Sequence, residues 1–200
     1  MAASKSIVRC PWSLSSELMI KYHDEEWGVP LHDDRKLFEF IVLDAFQAGL
    51  SFNTVLNKRE NFRKTFDDFQ PRKIARYTDK RIGKLLNDEG IIRNKLKIYA
   101  AINNAKRFVE IQKENGSFDK YIWQFTNGKT IQNHWKDIKE IPPRTVHSDA
   151  MSKSLSEKGF KFVGSTICYA FMQAAGMVND HLVECHRYNS IPSSYQEGKR

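Results

Sequence analysis

Apolar and polar positions alternate with a helical period along most of this 200-residue chain. Asp33 or Asp34 can cap a helix that starts at Arg35, with Leu37, Phe38, Ile41, Ala45 and Ala48 on one face and Gly49 ending it. Ser51 is placed to cap a second helix through Phe52, Val55 and Leu56, and Pro71 can open a short third one. Thr78 caps a fourth through Ile82, Leu85 and Leu86. A longer helix over about 94–114 carries Ile98, Ile102, Ala105 and Val109 as an amphipathic stripe, and Asn115-Gly116 terminates it. Another covers about 118–125. The stretch 127–144 is polar and, with Pro142-Pro143, reads as a connector. Ser148 can cap a helix to about Lys158. Gly164-Ser165-Thr166 then opens the most apolar helix, predicted to occupy the centre of the core. Few strand patterns compete, so the fold class is all-α. Residues 1–188 are expected to form one domain, in one lobe or two, and the polar tail 189–200 is expected to be disordered.

Composition sharpens this picture. Forty per cent of the residues are hydrophobic, including 13 Phe, 7 Tyr and 4 Trp, which suits a packed core and excludes a disordered chain. No run approaches the ~18 apolar residues of a membrane span, and the N-terminus lacks an apolar h-region, arguing against secretion. Three cysteines are too few and too odd for a disulfide framework, which points to a reducing, cytoplasmic setting. No oligomerisation stripe stands out, so a monomer is the default.

The formal charge is +8. Between Arg72 and Arg107 there are eleven Lys or Arg against three acids, Asp79, Asp88 and Glu89, so this stretch alone matches the charge of the whole chain. Such a run is a solvated helical face or a footprint for a polyanion. Within it, residues 85–95 join two helices through a short turn containing Gly90. This fits a helix-hairpin-helix, whose backbone N–H groups can hold a phosphate without reading sequence, with Arg93, Lys95 and Lys97 adding electrostatic affinity. An ordinary αα-hairpin has the same pattern.

Cys10 and His23 lie near one chain end, His181 and Cys185 near the other. Two thiolates and two imidazoles make a closed tetrahedral set suited to a structural Zn²⁺. The i, i+4 spacing of His181 and Cys185 puts both on one face of a helical turn. A core cysteine with scattered surface histidines is the competing reading, and His186 is an alternative ligand. Cys168, inside the apolar helix, reads as core.

Several stretches together resemble a known family. They are Arg9-Cys10-Pro11-Trp12, YHDEEWGVP (22–30), QAGLSF (47–52), VLNKREN (55–61), GIIRNKLKI (90–98) and SDAMSKSLSEKGFKFVGSTICYAFMQAAGMVNDH (148–181) with Cys185. Over about residues 9–188 the chain is similar to DNA-3-methyladenine glycosylase I, of the helix-hairpin-helix DNA glycosylase superfamily. The resemblance implies that Cys10, His23, His181 and Cys185 hold a structural zinc joining the N- and C-terminal segments. It implies that Gly90, Ile91, Arg93 and Lys95 grip double-stranded DNA carrying alkylated bases. It also implies that Gln47, Gly49 and Leu50 lie at the DNA strand, Leu50 as a wedge in the gap left by an extruded nucleotide.

The base pocket implied by the family consists of Trp12, Tyr22, Trp27, Phe52 and the carboxylate of Asp44, with Phe46 beside it. A 3-alkylated adenine is cationic in DNA, and aromatic faces attract cations and stack on flipped bases. The leaving base is neutral, so no general acid is required. Asp44 is the candidate catalytic residue, for recognition and electrostatic help, and water completes a monofunctional N-glycosyl hydrolysis. Four positions depart from the family pattern: Asp44 for Glu, Phe52 for Trp, Met19 for Tyr and Phe46 for Gln. They imply an altered base preference. The competing function is a zinc-stapled protein that binds DNA or a lesion without cutting it.

Overall fold

The computed structural model describes residues 7–192. Ten α-helices are found among them: α1 (Glu17–Glu25), α2 (Asp34–Gln47), α3 (Phe52–Asn57), α4 (Arg59–Thr65), α5 (Pro71–Ile74), α6 (Asp79–Asn87), α7 (Lys95–Asn115), α8 (Phe118–Trp123), α9 (Val146–Glu157) and α10 (Ser165–Ala174). The caps follow local chemistry. Asp33, Ser51 and Asn94 each accept a backbone N–H three residues on, from Lys36, Thr54 and Lys97. Helix α9 is capped by Thr145 rather than Ser148, because Ser148 instead returns the hydroxyl of a reciprocal capping box. Sequence periodicity gives no sign of α1 and α4, both short. A two-residue parallel bridge, β1 (Ile131–Gln132) with β2 (Val178–Asn179), is the strand content among the described residues.

The centre of the core is α2, not the apolar α10. Every residue from Leu37 to Phe46 is buried, whereas α10 keeps five of its ten residues outside the fully buried class. Helix α2 packs against α3, α7, α8 and α10. Its own Phe38 and the surrounding Phe62, Phe66, Phe69, Phe108 and Phe118 are all 0% exposed, each contributing about 2–3 kcal/mol of burial. The buried Glu39 of α2 accepts from Arg59 Nε at 2.6 Å and from Arg63 at 2.8 Å, which ties α4 to α2 and satisfies a charge otherwise costly to bury.

Among the described residues, the N-terminal and C-terminal segments meet, His186 N donating to the Val8 carbonyl at 3.0 Å. Gly176, at φ +67°, lies so close to the Val29-Pro30 peptide that a Cβ there would sit 2.3 Å from the Val29 carbonyl carbon. Only glycine permits this approach of the segment after α10 to the loop after α1. Tyr188–Ser190 form a 3₁₀ turn and Ile191 is buried, so the expected disordered tail does not start at 189. Its remainder, 193–200, lies outside the described residues. Among the described residues no helix is long and apolar enough to cross a membrane.

Candidate active site and metal centre

A cavity of about 310 Å³ opens between α1, α2, α3 and α10. Trp12, Tyr22, Trp27 and Phe52 wall it with rings, and Met19, Asp44, Gln47 and Gln173 complete its lining. Trp12 and Trp27 meet edge-on at 4.9 Å, and Tyr22 lies 4.9 Å from Phe52. Five of the six residues expected at a base pocket are therefore together. Phe46 is not. Its ring points to the opposite side of α2, fully buried against Phe62 at 4.8 Å and Phe66 at 6.1 Å. It sits two residues from Asp44, and a two-residue step on a helix turns a side chain by about 200°. Phe46 is a core residue, so three of the four departures face the cavity.

Asp44 is the one carboxyl in this wall. It is 4% exposed, and its Oδ2 is buried with no hydrogen-bond partner. Burial alone pushes its carboxyl up to about 8, which favours the protonated form at neutral pH. A buried polar atom without a partner is costly to keep and marks a place where a ligand completes the bonding.

The rim comes from two directions. Gly49 takes φ +79° in open space, which a side chain would strain, and it turns the chain sharply after α2. Leu50, beside the cavity-lining Gln47, is 43% exposed. From the polar connector come Ile138 and Ile141. Their signal in the sequence is two isoleucines spaced i, i+3 in a mostly polar stretch.

The turn between α6 and α7 presents Arg93 and Lys95 to solvent, Lys95 over the Tyr99 ring at 6.0 Å. Gly90 is tightly held: its N–H donates to Asp88 at 2.8 Å, and a Cβ would meet that oxygen at 2.9 Å and Asn61 at 3.2 Å. Ile91 is 2% exposed and its N–H donates to the Asp88 carbonyl at 3.4 Å, so it belongs to the core of the turn rather than to a ligand surface. Lys97 corrects the sequence reading. It is 7% exposed and bonds to the carbonyls of Phe46 and Ala48, so it is not available to a phosphate.

Below the aromatic wall, Cys10, His23, His181 and Cys185 converge, all buried, with their donor atoms within 4.8 Å of one another. Cys185 Sγ lies 3.4 Å from His23 Nε2 and 3.6 Å from His181 Nδ1, and Cys10 Sγ lies 3.8 Å from His181 Nδ1. A tetrahedral ion with ordinary thiolate and imidazole bond lengths separates such donors by about 3.6 Å. The group can hold a metal ion. Each imidazole is oriented through its other nitrogen: His23 Nδ1 meets Asp24 at 2.8 Å, itself held by Arg9, and His181 Nε2 meets the Trp27 carbonyl at 3.1 Å. His186 stays outside this group, facing the Val8 carbonyl and Asp24. The segment of His181 and Cys185 is a turn rather than a helix.

Residues 12–188 match the methyladenine glycosylase family model. The chain is 48% identical over 180 residues to DNA-3-methyladenine glycosylase 1 of Escherichia coli K12, covering 90% of this chain and 96% of that one. A crystal structure of 3-methyladenine DNA glycosylase I superposes with a TM-score of 0.87 at 47% identity, covering 90% of this chain and 98% of the other. The Staphylococcus aureus enzyme, solved to explain its recognition of 3-methyladenine, superposes at 0.88 with 31% identity, covering 96% of this chain and all of its own. A family model that spans most of the chain and relatives that share nearly half of its residues give one answer: this chain belongs to the methyladenine glycosylase family.

Proposed function

We propose that this protein is a monofunctional DNA base-excision repair glycosylase that extrudes an alkylated purine, such as 3-methyladenine, and hydrolyses its bond to deoxyribose. The observation that carries this reading is Asp44, buried without a partner in a cavity walled by aromatic rings. The four rings can stack on an extruded base and attract its positive charge. Arrival of that cation favours release of the Asp44 proton, because an opposite charge offsets the cost of burying the anion. The carboxylate then accepts from the base and compensates its charge.

The base departs neutral: the C1′–N9 bond breaks with its electron pair on N9, and water adds to C1′ and gives up one proton to solvent. No protein proton donor to the base is needed. The work of the chain is extrusion, stacking and exclusion of solvent. Leu50, with Gly49 and Gln47, fills the gap in the duplex. Residues 90–95 act as a helix-hairpin-helix grip, the backbone N–H groups at the start of the 21-residue α7 holding a phosphate while Arg93 and Lys95 supply charge. Residues 1–188 work as one domain, as a monomer, in the cytoplasm. Cys10, His23, His181 and Cys185 fit Zn²⁺ in donor type and spacing. A metal held by these four residues would supply folding energy rather than reaction chemistry, and His181, bonded to the Trp27 carbonyl, would tie that ring's segment to the site.

The test is incubation of the protein with methylated duplex DNA and chromatography of the released bases. Free 3-methyladenine from the parent protein, lowered at least tenfold in Asp44→Asn with duplex binding intact, is the expected result. Gel-shift binding to damaged DNA with no released base would instead establish the non-cleaving binder.

A further inference from the structure

Asp180 is 1% exposed and accepts four hydrogen bonds. Asn133 Nδ2 at 2.7 Å and Trp135 Nε1 at 2.8 Å reach one oxygen, and Tyr169 OH and Gln173 Nε2, both at 2.7 Å, reach the other. These bonds occupy the lone-pair sites of the carboxyl. The orientation of the Gln173 amide is thereby decided: turned the other way, it would set two oxygens 2.7 Å apart. The backbone of Gln173 is fixed as well, since its carbonyl accepts from Gly28 N at 3.0 Å, next to Trp27. One N–H of the amide is committed to Asp180, and Oε1, which has no hydrogen-bond partner among the described residues, is left for a ligand of the cavity that Gln173 lines.

We infer that Gln173 is a base-reading residue, its Oε1 accepting from the exocyclic amine of an adenine-type base, and that Asp180 is the positioning residue that fixes it as an acceptor. This rests on the cavity being the base pocket. Guanine-type bases carry a carbonyl at the corresponding ring position and meet this acceptor with repulsion, so the pair selects against them. Asp180 also holds Asn133 and Trp135 on the connector that carries Ile138 and Ile141. The connector side of the rim and the orientation of the amide therefore share one anchor.

The test compares 3-methyladenine with 3-methylguanine in two assays: equilibrium binding of the free bases, and release from one preparation of methylated duplex DNA. Gln173→Met keeps the length of the side chain and removes the acceptor. It is expected to weaken 3-methyladenine binding and release about 10- to 100-fold, with a much smaller effect on 3-methylguanine. Asp180→Asn, which lets the amide turn, is expected to shift the same ratio in the same direction at parental zinc content and thermal midpoint. If Asp180→Asn does not fold, Gln173→Met decides alone. A Gln173→Met protein with the parent's ratio, within twofold, overturns the inference. A parent that binds 3-methyladenine yet releases none overturns the glycosylase reading instead, and the binding ratio still decides this one. A parent that neither binds nor releases overturns both.

Discussion

Lys97 Nζ donates to the Phe46 carbonyl at 2.8 Å and to the Ala48 carbonyl at 2.5 Å. One side chain from the first turn of α7 thus closes the C-terminal end of α2 and pins the turn that carries Gly49 and Leu50. Burial lowers the lysine pKa, yet the two carbonyls at a helix C-terminus are where a cation is favoured. The hairpin before α7 and the wedge after α2 are mechanically one unit.

Replacing Lys97 with Met should therefore cost about 1–3 kcal/mol, the range for charge-assisted bonds to carbonyls left unpaired. Urea denaturation measures it. Base release should fall with it, because the Gly49-Leu50 turn loses its brace. Parental stability in this variant would show the two bonds to be incidental.

Asp44 gives a pH signature. Its carboxyl is near 8 in the folded protein against 3.8 ordinarily. The folded state holds a proton that the unfolded chain has released throughout that interval. Its contribution is thus fully present below pH 4 and lost as the pH rises to 8. Asp44→Asn, neutral at every pH, should exceed the parent in stability at pH 8.5 by about 2–5 kcal/mol and by much less at pH 5. An equal gap at both pH values would contradict the assignment.

Metal removal should act on the fold before the chemistry. One zinc per chain is expected by elemental analysis, and chelation or Cys185→Ser should lower the thermal midpoint by more than 10 °C, as for metal sites that bring distant segments together. His186→Ala should retain its zinc, since that ring stands outside the ligand group. Loss of zinc from His186→Ala with retention in Cys185→Ser would reverse the ligand assignment.

Leu50 is exposed and Gly49 stands in open space. Leu50→Ala should leave stability within about 0.5 kcal/mol while lowering base release from duplex roughly tenfold or more, because the extruded nucleotide is no longer replaced in the stack. Release from single-stranded DNA, where nothing must be extruded, should change little. Equal losses on both substrates would remove the wedge from the account.

The sequence made much of this legible because helix period and capping residues are local. Asp33, Ser51 and Asn94 cap where they are expected to. The Cys/His set is legible as donor types near the two chain ends and is sharpened by the motif resemblance, the aromatic wall follows from the resemblance alone, and the structure brings each group together. What stayed hidden depends on which side of a helix faces what. Phe46 and Asp44 are both buried on α2, but only the folded chain tells which one opens on the cavity. Lys97 looked like one more cation in a basic run, although its place one residue before Ile98 on a buried face was a hint. Gln173, a polar side chain inside the most apolar helix, was the clearest missed signal, and its meaning required Asp180.

The cavity itself is tested most directly by titrating free 3-methyladenine into ¹⁵N-labelled protein and following the four tryptophan indole N–H resonances. Trp12 and Trp27 line the cavity, while Trp123 donates its indole N–H to the Leu31 carbonyl elsewhere. The account predicts saturable shifts of Trp12 and Trp27 with Trp123 unmoved. Saturating 3-methyladenine that leaves Trp12 and Trp27 in place, or moves all four alike, would contradict it.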